Sequence, residues 1–401
     1  MRESGNNRMR VLVVCQHYWP EPYPLQDICE EMVRRGHKVD LITGVPNYPL
    51  GYIYPEYKKG KNRRQTVNGV NIVRTFTIGR RNNLLFRFLN YLSFMISSVL
   101  YALRTKEEYD VVFTNQTSPV LMSSAALAYG KKHGKKVVLY CMDLWPASLK
   151  VGGVSENSVI YKLFNHISRW IYRGADKILI TSEMFRKYLH DEFDIENNSI
   201  VYHPQYADIS FEKSVTIEND TVDLMFAGNI GAAQSIPTIL HAAEILKNRT
   251  ELRWHIVGDG SELEFCKKLA EGMSLSNVIF HGRKTQDEMP AYFEIADAVL
   301  ITLTGDPIIS MTLPGKMQTY MAAGKPIIGA ANGEIPIAIE KSGCGFCAPA
   351  DDAEGFAKAV IKFLGCDNKK AFGENARRFY EANFSRSKFM DNFERELISQ
   401  I

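Results

Sequence analysis

The sequence has almost no net charge, no patterned cysteines, no dinucleotide-binding glycine fingerprint and no membrane-length apolar run free of polar interruption. Each absence removes a class of function. Against 45 Asp and Glu stand 48 Lys and Arg, a formal excess of +3. So small an excess gives no electrostatic ground for a nucleic acid partner. The seven cysteines are scattered and odd in number, as expected of reduced thiols in a cytosolic protein. Cys344 and Cys347 form a C-x-x-C, but no second pair supplies the other two ligands of a zinc site, so no metal is expected. The N-terminal MRESGNNR is polar, and the VLVVC after it is too short for the apolar core of a signal peptide, which predicts a cytoplasmic location. No G-x-G-x-x-G follows the first strand of either half: one continues into CQHYWPEPYP, the other into AGNIGAAQS. That counts against a dehydrogenase.

What is present is alternation. RVLVVCQ, KVDLITG, VNIVRTFTI, DVVFTNQ, KKVVLYCMD and DKILITS read as buried parallel strands, with helical stretches such as PLQDICEEMVRRG between most of them. Over 204–221 the pattern lapses into a polar, aperiodic stretch. It then restarts with DLMFAGN, RWHIVGDG, NVIFHG, DAVLITL, KPIIGAA and GFCAPA, and helices are predicted near 234–247, 261–272, 285–295, 314–323 and 333–341. From Ala353 onward the chain reads as consecutive helices. The expected class is α/β, as two Rossmann-like domains. The expected boundaries are a disordered tail 1–8, a first domain 9–205, a linker 206–221, a second domain 222–385 and a last helix 386–401.

Between Tyr57 and Lys106 there are eleven Lys or Arg and no acid, and this span contains LLFRFLNYLSFMISSVLYAL. Arg87 and Asn90 interrupt that run, and soluble strands flank it, which argues against a transmembrane helix. Two readings stay open: a helix covering the sheet beside a basic loop, or a helix lying on a membrane with KKGKNRR and GRR against anionic head groups.

Ligands of open α/β sheets bind beyond the carboxyl ends of the strands. In the second half those positions are Gly228-Asn229-Ile230-Gly231, Gly258-Asp259-Gly260, Gly282-Arg283-Lys284 and the loop leading into Thr312-Leu313-Pro314-Gly315-Lys316. A glycine turn followed by a helix near Gln234 suits a phosphate, through free backbone N–H groups and the helix dipole. Yet no Lys or Arg lies between Asp223 and His241. The missing charge must come from neighbouring strands, and Arg283 and Lys316 are the candidates. Each alone reads as a solvated lysine or arginine; beside a glycine turn they point to a nucleotide diphosphate. In the first half the corresponding positions hold His17 and Glu21, Asn47, Asn115-Gln116, and Asp143 with Trp145. Asp143 could accept a hydrogen bond from a sugar hydroxyl, act as a base, or cap the following helix. Glu21 is a further candidate sugar ligand, and His203 reads as structural.

Seven stretches in order resemble family 4 glycosyltransferases of the GT-B fold, above all bacterial O-antigen and capsule enzymes including N-acetyl-L-fucosaminyltransferases. They are RVLVVCQHYWPEP, RRGHKVDLITGVPNYPLG, YCMDLWPASL, FAGNIGAAQSIPTILHAAEIL, WHIVGDG, FHGRKTQDEMPAYFEIADAVLITL and PGKMQTYMAAGKPIIGAANGEI. The resemblance covers about 9–395.

It implies two parallel-sheet domains facing across a cleft, with the last helix returning to the first domain. The second domain would bind a UDP-sugar through Gly228, Asn229, Ile230, Gln234, Gly258, Gly260, Arg283, Thr312–Lys316, Thr319 and Glu334. The first would bind the acceptor through His17, Glu21, Asn47, Gln116 and Trp145. It further implies retaining, metal-independent transfer by front-side displacement, with Asp143, Arg283 and Lys316 in the catalytic set. The acceptor would be a saccharide on a polyprenyl diphosphate at the inner membrane, approached through segment 57–106.

The sequence also departs from the family. Asn229 and Gln234 stand where many members carry an Arg and a Lys. Met311 and Thr319 replace two glutamates, and Met142 replaces a histidine. Two alternatives remain open: a UDP-sugar epimerase of the same fold, and a non-catalytic nucleotide-sugar-binding subunit.

Overall fold

The computed structural model describes residues 8–81, 83–207 and 220–401. Nearly all of the expected tail, and 208–219 of the expected linker, lie outside the described residues. The chain divides into two units, one running to His203 and including Met390–Ile401, the other Pro204–Phe389. The division differs from the sequence-based boundaries at both ends. Pro204 and Gln205, expected in the first domain, group with the second unit, and the last helix is divided within itself after Phe389.

The first unit runs β1 (Arg10–Val14), α1 (Leu25–Arg34), β2 (Lys38–Thr43), β3 (Arg64–Val67), β4 (Val70–Arg74), α2 (Leu84–Arg104), β5 (Val111–Gln116), α3 (Ser124–His133), β6 (Val137–Cys141), α4 (Ser148–Val151), α5 (Val159–Gly174), β7 (Lys177–Ile180), α6 (Met184–Phe193) and β8 (Ile200–Tyr202). The sheet order is β3-β4-β2-β1-β5-β6-β7-β8. The chain reverses direction across the sheet between β1 and β5, which opens a crevice beyond their carboxyl ends. β1, β5 and β6 are buried almost throughout, as their continuous apolar runs require. The antiparallel β3–β4 hairpin was not anticipated. Its signal was available: Asn68-Gly69, both at positive φ, form the two-residue turn that favours hairpins.

The amphipathic α2 shows how a helix can be anchored and yet remain largely uncovered. Asn90, Phe94, Ser98 and Ala102 recur every fourth residue and are buried. Asn90 is tied into the loops at the sheet edge: Gln16 Nε2 donates to its Oδ1 (2.6 Å), and its own amide donates to Ile78 O (2.6 Å) and Asn47 Oδ1 (3.3 Å). The opposite side exposes Leu85, Phe88, Ile96, Leu100 and Leu103. By length and composition this is the one described helix apolar enough to cross a membrane.

The second unit begins at β9 (Val222–Ala227). It continues with α7 (Ile236–Ile245), β10 (Leu252–Val257), α8 (Leu263–Gly272), β11 (Val278–Gly282), α9 (Met289–Ile295), β12 (Ala298–Thr302), α10 (Pro307–Ser310), α11 (Gly315–Ala322), β13 (Ile327–Ala330), α12 (Glu334–Ser342), β14 (Gly345–Ala348), α13 (Ala353–Leu364) and α14 (Lys369–Asn383). α15 (Arg386–Ile398) ends the chain. The sheet is wholly parallel in the order β11-β10-β9-β12-β13-β14, with its switch point between β9 and β12. Alternate residues of β9 feed two cores: Leu224 and Phe226 face α7, α8 and α13, while Met225 and Ala227 face α9, α11 and α12.

Within the first unit the end of α15 is held by charge. Glu394 accepts from Arg35 Nη1 (2.7 Å) and pairs with His37 Nε2 (2.6 Å), beside an edge-on Phe393–Phe113 contact. Burial would raise the Glu394 pKa, but the bonds from Arg35 and His37 outweigh it and leave the pKa lowered. This contribution is therefore present above the unfolded carboxyl pKa and is lost as pH falls through the folded value. Glu394→Gln should destabilise by about 1–3 kcal/mol at pH 7 in urea unfolding. Its difference from the parent should shrink toward zero on acidification; a difference that does not depend on pH would contradict the assignment.

Candidate active site

A cavity of about 670 Å³ lies at the switch point of the second unit. Its lining includes Gly228 and Asn229 after β9, Gly258 to Gly260 after β10, Arg283 and Lys284 after β11, and Gly315, Lys316, Thr319 and Tyr320 of α11. The glycines are required by neighbouring backbone. A Cβ on Gly258 would lie 1.8 Å from Gly228 O, and one on Gly260 would lie 2.2 Å from Ile230 O. The two turns therefore nest, joined by Gly228 N–H to Val257 O and Ile230 N–H to Asp259 O, both 2.9 Å. Tyr320 fixes α11 to the end of β9 by bonding both Ala227 N and Ala227 O at 2.9 Å.

This arrangement puts a cation where the turn has none. Lys316 reaches back from α11 until its Nζ lies 4.0 Å from the Phe226 ring centroid and 3.1 Å from where a Gly228 Cβ would stand. The residue is partly exposed, but the nitrogen itself is buried and has no hydrogen-bond partner among the described residues. Burial lowers its pKa from 10.5 to about 7. Arg283 is exposed at the cavity. A desolvated amine from α11 and an exposed guanidinium after β11 line one cavity with the glycine turn, an arrangement suited to a polyanion.

Several expected donor residues take other roles. Ile230 is fully buried in the core. Gln234 does not open α7; its Oε1 accepts from Asn229 Nδ2 (3.0 Å) and Gly231 N (3.1 Å) and closes the turn on itself. α7 starts at Ile236, so the helix N-terminus at the cavity belongs to α11. Thr312, Leu313, Pro314 and Glu334 are not among the lining residues. Gln205, Tyr206, Met289 and Phe293 line the cavity and were missed. Nothing in their local sequence marks them, since only the tertiary fold brings them there.

In the first unit, the acceptor candidates are mostly buried supports. Both carboxylate oxygens of Glu21 are engaged: one pairs with His17 Nδ1 (2.8 Å), the other accepts from Asn47 N and Tyr48 N (2.6 Å each). Glu21, 2% exposed, therefore ties two loops together with both of its oxygens engaged. His17 stacks on Tyr23 at 4.9 Å. Asn47 and Gln116 are buried, and Gln116 Nε2 donates to Thr117 O (2.9 Å) and Asp143 O (3.0 Å). Trp145 Nε1 donates to Ser118 Oγ (2.9 Å).

Asp143 is partly exposed, and its carboxylate accepts from the hydroxyls of Ser118 and Ser148. It does not cap α4, which has Ala147 at its N-cap. Ser118 and Ser148 were not foreseen. His203 is structural: it is 1% exposed, its O accepts from Tyr140 (3.0 Å), and burial, then Arg395, lowers its pKa to about 3.

Two parallel-dominated α/β units, one with a polyanion cavity at its switch point, make the architecture of GT-B glycosyltransferases. The comparisons agree. Residues 25–210 match the model of Glycosyltransferase Family 4, and residues 221–365 match that of Glycosyl transferases group 1. WbjE of Pseudomonas aeruginosa, described as a glycosyltransferase, is 26% identical over 300 residues, 71% of this chain and 73% of that protein. WcaI of Escherichia coli K12, described as a glycosyl transferase of colanic acid biosynthesis, is 23% identical over 337 residues, 79% and 82%. The crystal structure of Anabaena HepE in complex with UDP-glucose superposes with a TM-score of 0.69 at 14% identity, covering 98% of this chain and 100% of that one. The chain belongs to the family 4 glycosyltransferases.

Holding an unpartnered amine in the free protein costs folding free energy. The folded pKa of Lys316 lies below its unfolded value, so the unfolded state binds the extra proton between about pH 7 and pH 10. The cost is fully present below about pH 7 and fades as pH rises toward 10. Lys316→Met should raise unfolding stability by on the order of 2 kcal/mol at pH 7 and by less at pH 10. A destabilised variant would mean that the lysine has a partner.

Proposed function

We propose that this glycosyltransferase moves a sugar, an N-acetylated or deoxyamino hexose by its resemblance to the fucosaminyltransferases, from a UDP-sugar to a lipid-linked saccharide in surface polysaccharide synthesis. The observation that carries the donor half is Lys316: a buried amine with no hydrogen-bond partner among the described residues, facing a glycine turn that has no cation of its own. A diphosphate seated there would receive charge from Lys316 and Arg283, and N–H groups from the start of α11. Both cations stabilise the diphosphate more as the glycosidic bond breaks and negative charge grows on the leaving oxygen. In the proposed retaining step the acceptor hydroxyl attacks from the face that the diphosphate leaves. The departing phosphate oxygen takes the hydroxyl proton, so neither a metal nor a separate base is needed. Asp143, kept in place by Ser118 and Ser148, is assigned to a sugar hydroxyl of the acceptor.

The titration that tests this uses UDP, GDP and ADP in EDTA. UDP should bind selectively, and Arg283→Ala and Lys316→Met should each weaken it about tenfold or more. At pH 8 the free Lys316 is mostly neutral, whereas beside a diphosphate it is charged. Calorimetry in buffers of differing ionisation enthalpy should therefore show uptake approaching one proton, absent in Lys316→Met, and UDP affinity should decline as pH rises above about 7. Selective GDP binding would change the donor class, and no nucleotide binding would favour a non-catalytic subunit. Conversion of a UDP-sugar to another UDP-sugar without any acceptor would favour an epimerase.

The membrane half is supported by α2. Its exposed Leu85, Phe88, Ile96, Leu100 and Leu103 lie on the same unit as exposed Lys58, Lys59, Lys61, Arg63 and Arg64. We place the enzyme on the inner face of the cytoplasmic membrane. Flotation should find it on vesicles containing anionic lipid, less on neutral vesicles or in high salt, and less again for Leu100→Glu/Leu103→Glu. Equal binding to neutral vesicles would remove the basic segment from the account.

A further inference from the structure

A chain of polar side chains crosses the sheet of the second unit, and the proposed chemistry leaves it unused. Asp223 on β9, His255 on β10 and His281 on β11 stand on adjacent strands. Asp223 Oδ1 lies 2.7 Å from His255 Nε2, and His255 Nδ1 lies 2.8 Å from His281 Nε2. The two imidazoles stack within 12° of parallel. Asp223 and His255 are 2% and 6% exposed. Polar groups at such depth stabilise a sheet no better than well-packed apolar ones, so their arrangement calls for another reason.

The strand register supplies one. Ile256 pairs with Phe280, but Val257 pairs with Gly282, so His281 is the extra residue of a β-bulge. A bulge bends its strand and re-aims the residues just beyond it. Here those residues include Arg283 and Lys284, both lining the cavity. The bulged residue is held from inside by His255 and meets Tyr292 of α9 edge-on at 5.1 Å. Lys284 is held on the other side of Arg283, 5.4 Å from the Tyr292 ring centroid and 3.8 Å from Glu288. Arg283 is thus the exposed cation between two fastened neighbours. The hydrogen bonding is directional. The carboxylate of Asp223 accepts a hydrogen bond from His255 Nε2–H, and in that tautomer the Nδ1 lone pair accepts from His281 Nε2–H.

We propose that Asp223, His255 and His281 are positioning residues for the donor diphosphate: together they lock the bulge at His281 and so aim Arg283 into the cavity. This rests on the reading of Arg283 as a diphosphate ligand.

A double-mutant cycle on UDP affinity tests it. His281→Leu should weaken UDP about tenfold while leaving uridine, which lacks both phosphates, unchanged. Added to Arg283→Ala it should cost nothing further, because the residue it positions is already gone. His281→Gln, whose amide can still donate to His255, should regain most of the loss. If His281→Leu does not fold, His255→Gln enters the same cycle. Unchanged UDP binding in His281→Leu, additive losses in the cycle, or an equal loss of uridine would overturn the positioning role. If instead Arg283→Ala binds UDP like the parent, the underlying diphosphate reading fails, and the proposal fails with it.

Discussion

The cavity of the second unit is organised around an amine that has no hydrogen-bond partner among the described residues. A glycine turn can receive a phosphate closely, but without a cation it gives only backbone dipoles. Here the turn after β9 closes on itself through Asn229 and Gln234. The positive charge comes from α11, where Lys316 lies over Phe226. Tyr320, one turn further along that helix, bonds the last residue of β9 and so fixes the distance between lysine and turn. The nested glycines at 228, 258 and 260 leave the floor open enough for the lysine to reach it.

The first unit solves a different problem by similar means. Its edge loops must hold a fixed shape without being secondary structure, and they do so with buried polar bonds. Glu21 joins the loop after β1 to the one after β2, Asn90 of α2 joins that edge from the helix side, and Gln116 joins the loop after β5 to the one after β6. Asp143 is then a partly exposed carboxylate on a hydrogen-bonded rim. The residues nominated there as ligands are in large part buried and bonded to neighbouring loops.

Alternating apolar runs were enough to read the α/β class and every strand but β3 and β8, because a buried parallel strand must be apolar on both faces. They were also enough to place the edge loops at which a site could form. The Asn68-Gly69 hairpin was legible too, though it was not read. Arg283 and Lys316 could be nominated by elimination, since a phosphate turn without cations needs them from elsewhere.

The sequence by itself thus determined the layers, the order of most elements and the shortage of charge at the glycine turn, all of which depend on local pattern and composition. Only the tertiary structure decided which polar residues face a cavity and which face one another. Burial separated Glu21, a fastener, from Asp143, an exposed carboxylate. A single extra residue in β11 set the aim of Arg283. The ring beneath Lys316 is Phe226, from a strand ninety residues earlier in the chain. These are matters of proximity between distant segments, and neither periodicity nor propensity carries that information.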